Sequence, residues 1–422
     1  MGNLRRLTSG TLRPPPDLLK PREFLAICLQ INAAQAFVPV AKELRTMGIE
    51  TSFLLETGDL ETEALIQKHG FDYYPTLPLR HPSVIARVAA GSLRLRALWT
   101  RASVERLQAR IGLDTSTRMT ATLKKQIRKS VLAGILRSEA AFCALRTLPA
   151  HNVLFITRRA LFNTLLKETH PSARRFFFLQ GIVPDVPPIR TPLDVYRAFA
   201  GGPIDLPYLR RCGIPDEKII LSGYPAYDSS ANFVKSACRA AYSRVSTLRS
   251  DRPWVLFTSQ YSTPVFSNAA RMANLRAVIS LASRWPDVEF IIKVHPRRES
   301  VQPDELPANV YIEAAYPVLE LIRACDAMTT FWSTTAIEGL LLGTPLVQLN
   351  ATGLPDFLLL PAGLHVPVAR NSSELGEQLN SALARDLRPS PRDLTESLGP
   401  PPDGLAAHRT AVALAEVLRR PL

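Results

Sequence analysis

Cysteine is scarce and scattered. The five residues, Cys28, Cys143, Cys212, Cys238 and Cys325, show none of the close pairs that zinc or redox motifs require, and an odd number leaves no complete disulfide set. A reducing compartment, the cytoplasm, is therefore expected. There is also no run of about 18 or more apolar residues, which excludes a bilayer-spanning helix. The opening MGNLRRLTSG is basic but runs into TLRPPPD, without the apolar stretch of a secretory signal. Its Met-Gly start is only superficially like a myristoylation site. Aromatic platforms and known nucleic-acid motifs are missing too, so nucleic acid is not an expected partner despite a net charge of +14.

What is present is a globular composition, 46% hydrophobic and 21% charged over 422 residues, and that length exceeds what a single core usually supports. Prolines gather at Pro14, Pro15 and Pro16 and again at Pro389, Pro391, Pro400, Pro401 and Pro402; both clusters read as linkers. The positive charge is concentrated. Between Val84 and Leu148, thirteen Lys or Arg face three acids, Glu105, Asp114 and Glu139, about ten of the fourteen net charges. There Leu123, Ile127, Val131, Ile135 and Leu136 line one side of a helical pattern, with Lys124, Lys125, Arg128 and Lys129 on or near the other. Such helices lie on anionic membranes or grip a polyanion. A solvated insertion packing its apolar stripe on the domain is the competing reading.

Outside that segment, strand and helix alternate in two series. EFLAICLQI, a turn at Asn32 to Gln35, the helix AFVPVAKELRTMG, ETSFLLE ending at Glu56, ETEALIQKHG and FDYYP open the first, and HNVLFIT and RRFFFLQG continue it. After KIILSGYPAYDSSA the second runs PWVLFTS, RMANLRAVISLASRW, VEFIIKVHP, NVYIEA, PVLELIRAC, DAMTTFW, TAIEGLLLG and TPLVQLN. Helices between successive strands imply parallel sheets covered on both faces, two Rossmann-like halves joined near Tyr224 to Asp251. The expected division is a tail over 1–21, a first domain over 22–225 with the basic insertion 84–148, a linker over 226–252, a second domain over 253–387, a proline-rich linker over 388–404 and a closing helix over 405–422. Ligands in such folds bind beyond the carboxyl ends of the strands, which puts Thr258, Ser259, His295 and Ser333 on one rim.

Two strand ends carry the chemistry. One is Lys293-Val-His295-Pro296-Arg297, followed by Arg298; the other runs through Ser333-Thr334-Thr335 into a helix containing Glu338. Small hydroxyls at a helix start, with free N–H groups and the positive dipole end, favour a phosphate, and a cationic strand end beside them favours the same anion. The pair reads as one seat for a nucleotide diphosphate. Taken singly, each feature has an ordinary structural explanation: a strand terminus, a helix cap and a helix-start acid. No Asp-x-Asp occurs, so neutralisation without a metal is expected, with no cofactor beyond the nucleotide substrate.

The signature His295-Pro296, Asp326, Ser333-Thr334-Thr335-Ala-Ile-Glu338-Gly339 and Gly343-Thr-Pro345 resembles the nucleotide-binding half of GT-B transferases. It is most similar to bacterial CDP-glycerol glycerophosphotransferases, capsule glycosyltransferases and polysialyltransferases. Phe178-Leu-Gln180-Gly181-Ile182 resembles their interdomain His-Gly loop, and Gly223-Tyr-Pro225-Ala-Tyr-Asp228 their run into the linker. The resemblance spans roughly residues 150 to 350. It implies that His295 contacts phosphate or a departing diphosphate, that the hydroxyl trio holds the phosphates, that Glu338 accepts from ribose hydroxyls, and that a last helix crosses back to the first domain. It also implies a nucleotide-activated donor with UDP, CDP and CMP all open, and a surface polysaccharide or an anionic or lipid-linked glycan acceptor. The expected location is the inner membrane face, with peripheral contact through 84–148.

One departure stands out. Gln180 replaces the histidine of the relatives' loop, and an amide cannot take a proton from an acceptor hydroxyl. Asp185 and Glu56 are the substitutes; the leaving phosphate serving as base, or a protein that only binds, are alternatives. A nucleotide-sugar 2-epimerase shares the two-domain plan, but FFFLQGIVPD stands where its acidic His-x-Glu-Ala-Gly type of segment is expected.

Overall fold

The inner strands of this chain need no alternation of apolar and polar residues, because both their faces are covered. Phe24–Cys28 (β1), Thr51–Leu55 (β2), Trp254–Thr258 (β8) and Glu289–Lys293 (β9) are buried at every position. The computed structural model describes residues 24–29, 31–76, most of 140–156, most of 166–180, 193–260, 266–295, 306–354, 356, 360–384, 387 and 389–420. Most of the basic segment 84–148, together with Gly181, Asp185, Pro296, Arg297 and Arg298, lies outside them.

The first sheet adds Asp72–Pro75 (β3), Asn152–Phe155 (β4), Arg174–Phe178 (β5), Arg197–Ala200 (β6) and Ile219–Leu221 (β7), in the order β3-β2-β1-β4-β5-β6-β7. The second adds Val310–Glu313 (β10), Ala327–Thr330 (β11), Leu346–Leu349 (β12) and Val368–Ala369 (β13), in the order β10-β9-β8-β11-β12-β13. Every pairing is parallel. In the second sheet Thr258 is in register with both Lys293 and Thr330. Three adjacent strands therefore end level, and the order reverses between β8 and β11, where parallel α/β sheets open a crevice.

Several expected boundaries move. Asn32 to Gln35, read as a turn, lie in the first turn of the helix Ile31–Thr46; buried Ala33, Ala34 and Ala36 pack with Phe37 against the sheet, and alanine favours helix. β6 and the helix Ser372–Leu383 have no counterpart among the expected elements. The linkers expected over 226–252 and 388–404 both contain packed helices. Lys235–Ser243 lies against Val318–Ala324, and Pro391–Leu398 begins with Ser390 Oγ accepting from Asp393 N at 3.1 Å. Proline in that first turn gives up an N–H that would have no helical partner. Leu398 is buried, and its carbonyl oxygen would lie 1.9 Å from a Cβ at Gly202.

The closing helix Ala406–Leu418 crosses back onto the first half. Ala407, Ala411, Leu414 and Ala415 share a core with Phe37, Val40, Ala41 and Leu44. The Asp228 carboxylate accepts from Ala406 N at 3.0 Å and Ala407 N at 2.7 Å; caps of this kind stabilise by about 1 kcal/mol. At the far end Arg174 donates to the carbonyls of Val417, Leu418 and Arg420. Where the chain leaves the first sheet, Gly223 has φ +90°, and a Cβ there would stand 2.8 Å from the Ala406 Cβ. Gly223→Ala is expected to lower stability by about 2–4 kcal/mol, from left-handed strain plus overpacking. Urea unfolding with an unchanged m-value checks it.

Among the described residues, no helix is long and apolar enough to cross a membrane.

Candidate active site

A cleft of about 1450 Å³ opens where the carboxyl ends of the two sheets face each other, and it gathers most of the expected residues. Glu56, Gln180, Gly223, Pro225, Thr258, Ser259, Lys293, His295, Ser333, Thr334, Thr335 and Glu338 all line it. Level strand ends explain the grouping: Thr258 and Ser259 close β8, Lys293 and His295 close β9, and the hydroxyl trio follows β11.

At the helix Thr335–Leu341 the cap is weak. Thr334 occupies the capping position without a side-chain cap hydrogen bond, and Ser333 Oγ accepts from Thr335 N at a long 3.3 Å. Thr335 Oγ1 instead lies 2.6 Å from Thr258 Oγ1, a hydroxyl pair bridging the switch point. Lys293 is nearly buried and donates to Ala314 O at 2.7 Å. Burial pulls its pKa down and the neighbouring Glu313 carboxylate pushes it up, with a net lowering. Two further donors of its ammonium remain for a ligand. Burial also raises the Glu313 pKa, but hydrogen bonds from Tyr316 N, the Tyr242 hydroxyl and Ala315 N outweigh it and hold the carboxyl below its usual range. These bonds shape the turn after β10, and Ala314 to Leu319 of this stretch line the cleft.

Glu338 is more enclosed than an open ribose acceptor would be. Tyr227 donates its hydroxyl to Oε1 at 3.2 Å, while Oε2 is shut off from solvent and has no partner among the described residues. Burial pushes the pKa up to about 7, with the Tyr227 bond pulling the other way. Because the folded value exceeds the ordinary 4.5, protonated Glu338 contributes stability that is full below pH 4.5 and is lost as pH rises through about 7. Glu338→Gln is expected to remove this component, at most about 3 kcal/mol, and to flatten the Tm of the ligand-free protein over that window. Differential scanning calorimetry between pH 4.5 and 7.5 measures it; an unchanged slope would refute the assignment.

Asp326 serves the fold. It accepts from Lys235 Nζ at 2.6 Å, Arg239 Nη1 at 2.7 Å and Trp254 N at 2.8 Å, at the amino ends of β8 and β11, away from the cleft. Burial raises its pKa, yet these bonds hold it below the usual range.

The opposite wall differs in character. Glu56, Asp59 and Glu61 follow β2, Asn32 and Gln35 project from the first turn of Ile31–Thr46, and Ile27, Leu29, Ile156 and Phe178 form its floor. Asp59 accepts from Thr62 N and Oγ1 at 3.2 and 2.7 Å and so caps the helix Leu60–Lys68. Among the described lining residues of this wall there is no lysine or arginine; the cation Lys293 and the imidazole of His295 sit across from it. Tyr224, Tyr227, Asn32 and Gln35 escaped the sequence reading, although both tyrosines lie inside the quoted run Gly223 to Asp228. Among the described residues, no three metal-ligating side chains come together.

No protein-family model matches the sequence, and no curated protein matches it. The fold is similar to solved structures along nearly their whole length. A UDP-GlcNAc 2-epimerase from Neisseria meningitidis bound to UDP-GlcNAc is 12% identical, with 93% of this chain and 99% of that one covered at a TM-score of 0.58. The glycotransferase of kitacinnamycin is 12% identical, with 94% and 98% covered at 0.57. The calicheamicin glycosyltransferase is 14% identical, with 95% and 99% covered at 0.54. The chain thus has the GT-B fold, two Rossmann-like domains with parallel sheets facing one cleft.

Proposed function

We propose that the protein is a nucleotide-sugar-dependent transferase of GT-B type, moving a sugar or polyol phosphate unit to a surface polysaccharide or lipid-linked acceptor. The observation that carries this reading is the Thr258–Thr335 hydroxyl pair at the switch point, flanked by Lys293 and His295 and facing Glu56 across the cleft. The diphosphate of a donor sits at the hydroxyl pair and helix start. The acceptor oxygen forms the new bond to the donor unit while the old one breaks, the bond to the diphosphate for a sugar or the P–O–P bond for a polyol phosphate. His295, Lys293 and the hydroxyls stabilise the negative charge growing on the departing nucleoside diphosphate or monophosphate. Glu56 takes the proton of the acceptor hydroxyl. The described part of the acceptor wall carries no lysine or arginine, so the charges of an anionic acceptor fall to the basic segment 84–148 at the membrane surface.

A 2-epimerase is the second reading, favoured by the Neisseria enzyme's similar fold and by the three acids on the first wall. One experiment separates the readings: incubation with UDP-, CDP- and CMP-sugars, followed by thermal shift and by NMR of the products. The expected result is a rise in Tm and acceptor-dependent release of nucleotide. Epimerised donor supports the second reading, binding without turnover makes this a binding subunit, and no binding to any of them ends the nucleotide reading.

A further inference from the structure

The helix Ile31–Thr46 turns two amides toward the cleft. Its inward side is fixed by Ala33, Ala34, Ala36 and Phe37, all buried in the first core. That packing leaves Asn32 and Gln35, three positions apart and so on one face, exposed and lining the cleft. Among the described residues, neither side chain has a hydrogen-bond partner. Beside them the loop after β2 is held at two points: Thr57 N donates to Thr76 Oγ1 at 3.1 Å, and Asp59 accepts from Thr62. The loop and the helix after it present Glu56, Asp59 and Glu61 along the same wall, above its apolar floor.

This mixture of groups selects a chemistry. Each amide offers two N–H donors and a carbonyl acceptor, while a carboxylate only accepts. A phosphate or carboxylate on the ligand meets the amide donors but is repelled by the acids. The start of the helix Ile31–Thr46 adds roughly half a positive charge, less than the full negative charges set against it. An ammonium meets the acids but leaves the amide donors without an acceptor. A hydroxyl does both, and the C–H face of a sugar or polyol suits the apolar floor.

Resting on the transferase reading above, we infer that Asn32 and Gln35 set the identity of the acceptor: the unit that enters this half of the cleft is an uncharged, hydroxyl-rich glycosyl or polyol end. Any phosphate or carboxylate of the acceptor lies further along its chain, outside the wall. The two amides orient the entering unit, and one of its hydroxyls faces Glu56.

Three methyl glycosides that differ in charge, in gluco and galacto configuration, test this: the neutral glycoside, the anionic uronide and the cationic 2-amino-2-deoxy glycoside. Saturation-transfer NMR titrations on the full chain give their affinities, with thermal shift by UDP-, CDP- and CMP-sugars run on the same samples. The neutral glycoside of one configuration is expected to bind roughly tenfold more tightly than either charged form. Asn32→Ala and Gln35→Ala are each expected to weaken it about three- to tenfold, the loss of one or two neutral hydrogen bonds, without changing the nucleotide-induced rise in Tm. Alanine favours helix, so both variants keep the fold. Gln35→Arg is expected to bring the uronide level with the neutral glycoside, a change that a purely structural role would not produce. Equal binding of the three forms, preference for a charged one, binding of none, or unaltered affinity in both alanine variants overturns the inference. With the nucleotide-induced rise in Tm intact, those results leave the transferase reading standing; absence of that rise with every nucleotide sugar refutes the reading itself.

Discussion

Glu56→Gln is expected to lower turnover about 10²–10⁴-fold while leaving the nucleotide-induced rise in Tm intact. The amide keeps the size of the side chain and loses its basicity, and a positioned general base is worth that factor. Of the three acids on the first wall, Asp59 is engaged in capping the helix Leu60–Lys68, and Glu56 stands at the end of β2, at the carboxyl rim where reacting groups meet. Gln180 lines the same wall but has no basicity to offer. Steady-state rates on the nucleotide sugar selected by the panel decide the point. Turnover near the wild-type rate would remove Glu56 from the chemistry and shift the proton to Asp185 or to the leaving phosphate.

The second large effect is expected at His295. His295→Ala should cut turnover about 10²–10³-fold, the usual loss when one donor to developing negative charge is removed. It should also abolish most of the stabilisation by bound nucleotide, about 2.7 kcal/mol for the wild type at a ligand concentration of 100 Kd. The residue lies just past β9, with Lys293 at the strand's last position, so its ring belongs to the cleft wall and not to the sheet. Thermal shift with and without nucleotide separates the two roles. A variant that keeps the full Tm rise but turns over slowly would confine His295 to the transition state, and one that loses neither would remove it from the site.

Much of this arrangement was legible in the chain because parallel strands buried on both faces write themselves as continuous apolar runs; FLAIC, TSFLL and WVLFT are buried throughout. That Thr258, Lys293, His295 and Ser333 to Thr335 share one rim was legible for a related reason: they sit at strand ends, and level strand ends follow from the fold class. Other parts were hidden. β6, Arg197–Ala200, reads RAFA, an arginine and two alanines where the equally short Leu346–Leu349 is mostly large apolar residues, LVQL. The helix Pro391–Leu398 hides behind prolines that a first turn tolerates. Asp326 fits the transferase signature but its three partners, two of them on a helix expected as linker, show a role in the fold. The Tyr227–Glu338 bond joins positions that only the tertiary structure brings together, and no local spacing announces it.

The return of the closing helix has a consequence for how the molecule comes into being. His408 Nδ1 reaches Glu43 Oε2 at 2.9 Å across 365 positions, and closing so long a loop costs roughly 5 kcal/mol of chain entropy before any contact compensates. During synthesis the amino-terminal half emerges first, with the apolar side of Ile31–Thr46 still waiting for its cover. Vectorial folding of the first domain is thus incomplete until the ribosome has delivered residues 406 to 418. Nascent chains stalled short of that point should be protease-sensitive around Phe37 to Leu44 and attractive to chaperones.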